Sequence, residues 1–518
     1  MRAPYRESAS VLSMKQTILT ILSVFGCLFL QAQINDLPRT SPEAVGLRSA
    51  QVSAFFDSLL AMPQTEIHSV IVMRSGKIVG ELYPVPFRPE YKHTQFSCSK
   101  TFVAAAVGIA IGEKKLQLTD RLVTFFPEHL PKLVSWRLAS ITVEDLLTMR
   151  SGFTVDTQMR NVSRQWIRDY LAHPMNADPG KRFQYDSIDT YLLSAIVQRV
   201  TGMNVLDYLR QRVFKALNIT DVCWELSPEG IVTGGWGLYI QPESLAKFGQ
   251  LLLQRGRWHG EQLIPAEWVD AMMREHVSRK NGDGYCYQMW RCGYPTASRA
   301  DGAYGQYVVV VPRQNAVIVI NQCNLAGGGR QFGYIWKTLF KGMHAQPLLP
   351  SDDYRLLLQR ADSLPVLMGE PTHQLMGDYQ GLTIRLGKNP LKWTALRFES
   401  SNVLMITDNH HVTARVLMGY QQWATSAVSI YPLNARYAVQ NQFSTIRPPF
   451  HVGACYAWQG DTLQAKLHFV DWMGAVRLNM RFDADTVAIT AQENYQKKPI
   501  TIRGIVERPQ ETIVTKTN

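Results

Sequence analysis

The chain is poor in charge for its length and has no apolar run long enough to cross a bilayer. Only 19% of its 518 residues are charged, against 46% hydrophobic. That balance excludes an intrinsically disordered chain. The formal net charge is +12 and the pI about 9.3, yet the basic residues are scattered. With no basic helix, basic stripe or zinc-finger spacing, no nucleic-acid partner is expected. A spanning helix needs about 20 apolar residues, and the most apolar run, ILTILSVFGCLFL, is shorter. Cysteine is also sparse, at seven. A large domain with its own core does not need disulfide staples.

What is there first is an address. Met14-Lys15 precedes the apolar run, and Leu30-Gln31-Ala32 offers a cleavage site before Gln33. This reads as a signal peptide over 1–32, with a start at Met14 left open because residues 1–13 look like an upstream extension. The expected destination is the periplasm or the medium, with no membrane span after signal removal. Val24-Phe25-Gly26-Cys27 loosely matches a lipoprotein box, but its cysteine sits inside the apolar run, so lipid anchoring ranks second. Six cysteines remain: Cys98, Cys223, Cys286, Cys292, Cys323 and Cys455. A disulfide among Cys286, Cys292 and Cys323 stays open; free buried thiols are the expectation.

At this length one core does not suffice, and two domains are expected. From Ile67 to Tyr83 the sequence reads as a hairpin around Ser75-Gly76-Lys77, and from Tyr304 to Gln322 as a second, turning near Pro312–Asn315. GYIWKTLFKGM reads as a closing helix. Strands at both ends with helices between predict an α/β (α+β) domain over 36–343, whose antiparallel sheet is flanked by helices. Residues 344–370 read as a linker with a short helix capped by Ser351. Over 371–518 the pattern becomes all-β. The runs LTIRL, NVLMIT, VTARVLM, AVSIY, LQAKLHFV, AVRLNM and TVAIT predict an antiparallel barrel or sandwich of about eight strands. His410-His411 lacks metal-ligand spacing and reads as a turn.

The chemistry is concentrated at Ser97-Cys98-Ser99-Lys100, which opens the nearly uncharged run TFVAAAVGIAIG. Such a run predicts a helix buried on all sides. Ser97 and Lys100, three apart, then share one face. A serine hydroxyl is a weak nucleophile until something takes its proton. A lysine in an apolar wall can do so, because desolvation disfavours its ammonium form. The helix N-terminus adds a positive dipole end under the nucleophile.

FSCSKTFVAAAVGIAI resembles the first motif of class C β-lactamases, low-molecular-weight penicillin-binding proteins and related esterases. ITVEDLLTMRSGF, PGKRFQYDSIDTYLLSAIVQRVTG and GLYIQPESLAKFGQLLLQRGRWHGEQLIPAEW resemble later segments of that family in the same order, over roughly residues 40–342. The resemblance implies a β-lactamase/transpeptidase-like fold and Ser97 as the acylated nucleophile. It also implies Lys100 as base, Tyr185 (of the Tyr-x-Asn motif) as proton shuttle, and no metal or organic cofactor. Ser187 stands where the family has Asn. In the third motif, Lys-Thr-Gly or His-x-Gly, the match is Ala300-Asp301-Gly302, so the cation or imidazole is replaced by Ala300. Gly302 fits a place where the backbone approaches substrate. The oxyanion hole is then the N–H of Ser97 with that of Ala303.

Both departures weaken β-lactam recognition, and Ala-x-Gly-x-x-Gly-Gln resembles the branch of esterases and 6-aminohexanoate-dimer hydrolases. The expected function is therefore hydrolysis of a small-molecule carboxylic ester or linear amide. Trp236, Tyr287, Trp290 and Tyr304 are expected to line the substrate cleft, with Gln306 nearby. Two other readings stay open: a D-alanyl-D-alanine carboxypeptidase or β-lactamase, and a non-catalytic ligand-binding relative. No oligomeric state is implied.

Overall fold

A computed structural model describes residues 37–154, 163–279, 283–369, 379–432, 446–494 and 498–508. The expected signal segment, 1–32, lies outside them. Strands β1 (Thr65–Arg74) and β2 (Lys77–Leu82) form the first hairpin. Its two-residue turn puts Ser75 and Gly76 at φ 52° and 75°, the left-handed pair that matches strand twist. Three short strands, β3 (His93–Thr94), β4 (Val222–Trp224) and β5 (Leu238–Ile240), make a small separate sheet. Then come β6 (Trp290–Arg291), β7 (Ser298–Gly302), β8 (Gln306–Val311) and β9 (Ala316–Asn324). The main sheet runs β2-β1-β9-β8-β7-β6, antiparallel throughout. β1 and β9, from the two ends of this part of the chain, lie side by side at its centre. QYVVVV of β8 is buried at every position because helices cover both faces.

On one face α1 (Ser49–Leu60) buries Phe55, Phe56 and Leu59 against Val70, Val309 and Ile318. On the other lie α2 (Ser99–Gly112), α3 (Ser187–Thr201) and α4 (Pro242–Leu253). Every residue of α2 from Ser99 to Ala110 is buried, as its lack of charge requires. Helix α5 (Ala266–Met273) lays Trp268 across it. The indole N–H donates to the Ala104 carbonyl at 2.9 Å, and a Cβ at Gly108 would lie 1.9 Å from the ring.

The C-terminal strands are β10 (Thr383–Leu386), β11 (Trp393–Ser400), β12 (Val403–Asp408), β13 (Thr413–Leu417), β14 (Gly419–Tyr420) and β15 (Ala424–Val428). They continue as β16 (Phe450–Gln459), β17 (Thr462–Phe469), β18 (Ala475–Asp483), β19 (Thr486–Glu493) and β20 (Ile500–Glu507). Together they form one 11-stranded sheet, ordered β13-β12-β11-β10-β20-β19-β18-β17-β16-β14, with β15 also on β16. The Leu417 N–H donates to Ser426 Oγ at 3.2 Å, bringing β13 to β15 and nearly closing a barrel around Trp393, Phe398, Trp458 and Leu467. The strand count exceeds the expected eight. β16 is buried along almost its whole length, so it has no alternation to detect. In β20 an inward position is Gly504, where a Cβ would meet the Ile384 side chain at 2.4 Å, and the glycine hides the period. The AVSIY strand is shifted, ending at Val428.

Cys98, Cys223, Cys286, Cys292, Cys323 and Cys455 are free thiols, so the disulfide left open by the sequence is not formed. His410 and His411 occupy an exposed turn, with the His410 N–H on Asp408. Among the described residues no helix is long and apolar enough to cross a membrane.

Filling the space under Trp268 tests how α2 is held. Gly108→Val should cost about 1–3 kcal/mol or more through overpacking. Its thermal midpoint should fall by several degrees, whereas Gly333→Ala, whose Cβ meets nothing within 4 Å, should leave it unchanged. Equal midpoints for both variants would refute this packing account.

Candidate active site

Ser97 lies in one 3₁₀ turn, Phe96–Cys98, that leads directly into α2. The turn is strained: Phe96 has φ 44°, a left-handed conformation costly for an aromatic residue. Its neighbours hold it. The Ser99 hydroxyl donates to the Phe96 carbonyl at 2.6 Å and accepts from the Leu238 N–H at 3.2 Å. The Phe96 ring packs against Tyr304 and Trp472, the latter from the barrel. Cys98 points inward, its thiol on the Gln306 carbonyl at 3.1 Å, and burial pushes that thiol well up.

One turn along, Lys100 is 1% exposed. Its Nζ lies 2.9 Å from Ser97 Oγ, 3.0 Å from Ser187 Oγ and 2.6 Å from the Gly235 carbonyl. It also stands 4.8 Å from the centre of the Tyr185 ring. Sequence reasoning missed Gly235. It lies in the Gly-rich turn Thr233–Gly237, where Gly234 and Gly237 have φ 63° and 85°. A Cβ on Gly235 would come within 2.6 Å of the Ser187 carbonyl oxygen. The signal available was the TGGWG string, which marks a backbone approaching another chain segment closely.

Tyr185 and Ser187 flank Asp186, which fixes both. One Asp186 oxygen caps α3, accepting from the Ile188 N–H at 3.0 Å; the other accepts from the Tyr170 hydroxyl at 2.6 Å. Burial raises the Tyr185 phenol far above the ordinary tyrosine value; its interaction with the Ser97 side chain opposes this, and the Asp301 charge adds to it. The site therefore does not favour the phenolate. The phenol keeps its proton and is a donor.

Among the described residues, neither the Ser97 N–H nor the Ala303 N–H has an intramolecular acceptor. Both residues border a cleft of about 390 Å³, together with Tyr185 and Trp290. The Ala303 turn is clamped from behind by buried Gln306, whose side-chain amide donates to the Ala303 carbonyl at 3.1 Å and to that of Gln322 at 2.7 Å.

The rest of the cleft wall is charged: Arg279, Asp283, Arg299 and Asp301. Arg299 donates to Asp301 at 2.8 Å and to the Arg291 carbonyl at 2.6 Å. Burial raises the Asp301 carboxyl, and Arg299 pulls it back. Arg279 lies over the Phe183 and Trp290 rings. The expected aromatic wall is thus corrected. Only Trp290 of the four aromatics borders this cleft. Tyr287 is core, stacked on His276 with its hydroxyl on Glu144 at 2.7 Å. Trp236 packs on Trp166, and Tyr304 turns toward Phe96 and the barrel cluster. Ala300 is buried in the core beside α2. At Gly302 a Cβ would strike the Gln95 carbonyl at 2.4 Å, so internal packing already requires the glycine.

An antiparallel sheet closed by both ends of the domain, a buried helix beneath its edge and a cleft between them define a β-lactamase/transpeptidase-type fold. The chain belongs to the beta-lactamase family, whose pattern matches residues 52–334. It is 24% identical over 311 residues to the 6-aminohexanoate-dimer hydrolase of Paenarthrobacter ureafaciens, covering 54% of this chain and 79% of that one. It is 26% identical over 171 residues to protein Flp of Staphylococcus aureus, 29% of this chain and 33% of that one. A Bacillus anthracis structure described as a 6-aminohexanoate-dimer hydrolase superposes with a TM-score of 0.50 at 18% identity, over 62% of this chain and 90% of its own. That likeness concerns the fold.

Two predictions follow from the turn behind Lys100. Gly235→Ala should push the carbonyl off Lys100 and displace Ser187, so turnover should drop at least about tenfold while the far-ultraviolet spectrum stays native; unchanged turnover would refute the contact's role. Glu225, buried behind the same turn and bonded to Tyr239, has its carboxyl pushed up to about 8 by burial. Between its ordinary value near 4.5 and 8 the unfolded chain releases this proton while the fold keeps it, so rising pH lowers stability across that window. Glu225→Gln should remove this loss. It should gain on the order of a few kcal/mol over the parent between pH 5 and pH 8, read from denaturant midpoints. A pH-independent difference would refute the assignment.

Proposed function

We propose that the chain is a serine hydrolase that cleaves a carboxylic ester or linear amide through an acyl-enzyme on Ser97. One observation carries the reading: a lysine amine, sealed in an apolar helix, stands 2.9 Å from a serine hydroxyl that opens on a cleft. As a neutral amine, Lys100 satisfies the Gly235 carbonyl and Ser187 hydroxyl with two N–H bonds and turns its lone pair to the Ser97 O–H. Ser97 Oγ attacks the carbonyl carbon as its proton passes to Nζ. Charge developing on the carbonyl oxygen falls to the Ser97 and Ala303 N–H groups. Tyr185 gives its phenolic proton to the leaving oxygen or nitrogen as that bond breaks, and regains one from the Lys100 ammonium. Water then frees the acid by the reverse route. No step uses a metal or cofactor.

For the substrate class, the support is the pair of altered motif positions and the charged cleft wall. Ala300 offers nothing to a β-lactam carboxylate, while Arg279 and the Arg299–Asp301 pair suit a linear substrate with polar or charged ends. The relative named for hydrolysis of a 6-aminohexanoate dimer agrees with a linear amide.

A nitrophenyl-ester assay tests the reading. Ser97→Ala should lower kcat at least about a thousandfold, and Tyr185→Phe about 100-fold or more. A fluorophosphonate probe should add to Ser97 and to no other residue. Equal rates for parent and Ser97→Ala would favour the binding-protein reading, and rapid acylation by penicillin the cell-wall reading.

A further inference from the structure

Away from the cleft, the seam between the main sheet and the barrel holds a cluster that the mechanism does not use. Glu66 and His68 project from β1, and His468 from β17. One ligand atom from each lies within 4.8 Å of the other two. Both imidazoles are fully buried. Two of their ring nitrogens, His68 Nε2 and His468 Nδ1, have no hydrogen-bond partner. Buried polar atoms are rarely left so, and here the reason is chemical.

The proton positions along this seam are set by a relay. His93 Nδ1 lies 2.8 Å from the Thr94 carbonyl, which only accepts, so that nitrogen carries the hydrogen. His93 Nε2 is then an acceptor, and the 2.8 Å contact with His68 Nδ1 requires His68 to donate. His68 Nε2 is left with a bare lone pair. An imidazole whose far N–H is held by a neighbour, so that its near nitrogen is free and oriented, is the arrangement of a metal ligand. Phe87 stacks on His68 at 4.1 Å and meets His468 edge-on at 5.1 Å, walling the group with carbon. Glu66, whose side chain is 25% exposed, is the solvent side. Its oxygens are divided: Oε1 takes Lys466 at 3.0 Å, and Oε2 faces His468 Nε2 at 3.3 Å.

We propose that Glu66, His68 and His468 form a divalent-metal site, with zinc the fitting ion and water its fourth ligand, that fastens the barrel to the main sheet. Imidazole nitrogen and carboxylate oxygen are ligands that zinc accepts, at about 2.0–2.2 Å. Tetrahedral geometry then sets the ligand atoms about 3.3 Å apart, which rotation of the Glu66 and His468 side chains supplies. Lys466 is the competing cation. Because ligands from β1 and β17 meet at one ion, binding couples the two parts, and free energy of binding becomes resistance to their separation.

The test uses tag-free full-length protein, stripped with chelator, exposed to zinc and dialysed. The parent should retain one equivalent of zinc and gain several degrees of thermal midpoint. Glu66→Gln and His468→Ala should lose both, while His410→Ala/His411→Ala should lose neither. His93→Gln, which breaks the relay, should weaken zinc binding about 10–100-fold. Lys466→Met, which removes the competing charge, should tighten it; a purely hydrogen-bonded cluster would give no such gain. Should the cluster variants fail to fold, cobalt bound to the parent should show the visible bands of a four-coordinate nitrogen/oxygen site. Absence of stoichiometric zinc in the parent, full retention by His468→Ala, or a cobalt complex without those bands would overturn the proposal.

Discussion

The structure is organised around an amine that water does not reach. Lys100 sits on a helix buried through three turns, and oxygens placed for it, those of Ser97, Ser187 and Gly235 among them, help make that burial tolerable. An ammonium isolated in such a wall would be expelled or neutralised. Each of the three oxygens makes its own demand on the fold. Ser97 requires the strained turn at Phe96, Ser187 requires α3 to begin where Asp186 caps it, and Gly235 requires a turn without side chains. The site is thus, first of all, a set of backbone constraints.

Those constraints reach the barrel. Phe96, immediately before Ser97, packs on Trp472 at 5.2 Å, and Tyr239 stacks on the same indole at 6.1 Å. The Thr94 N–H donates to the Asp471 carbonyl. The loop between β17 and β18 therefore buttresses both the strained turn and the small sheet beside it. A φ of 44° persists only when surrounding contacts over-determine it, and some of these contacts come from a segment nearly 400 residues downstream. The barrel is part of the support of Ser97, whatever else it does.

What was legible in the sequence follows from this division. Both hairpins, the buried helix and the pairing of the two chain ends could be read, because turn residues and uncharged runs are local signals. The gathering of Ser97, Lys100 and Tyr185 in one place could be read because their residue types, spacing and order are local signals. The cleft wall could not. Tyr287 and Trp290 are three apart, yet one is core and the other lines the cleft, a distinction set by the irregular chain around β6. Arg279, Asp283 and Arg299 carry no signal as residue types, since charged residues occur throughout the sequence. At Gly302 the motif gave no sign of the Gln95 carbonyl that also requires a glycine there. The strands missed in the barrel were those without alternation, or with glycine at an inward position.

The two altered motif positions are better understood together than singly. An Asn at 187 would add a donor that reaches further than a hydroxyl, and a Lys or His at 300 would put a second cation near Lys100. With Ser187 and Ala300 in those places, Lys100 meets a hydroxyl at position 187, and position 300 carries no charge. The charge has moved outward instead, to Arg299 and Asp301 on either side of Ala300, where each holds the other in place. The charge of this strand thus faces the same cleft as Ser97 and Tyr185, carried by a pair rather than by a single cation. On the proposed reading, charge carried by Arg299 and Asp301 would act on the ends of an extended substrate, and Ser97, Lys100 and Tyr185 would be left to move protons.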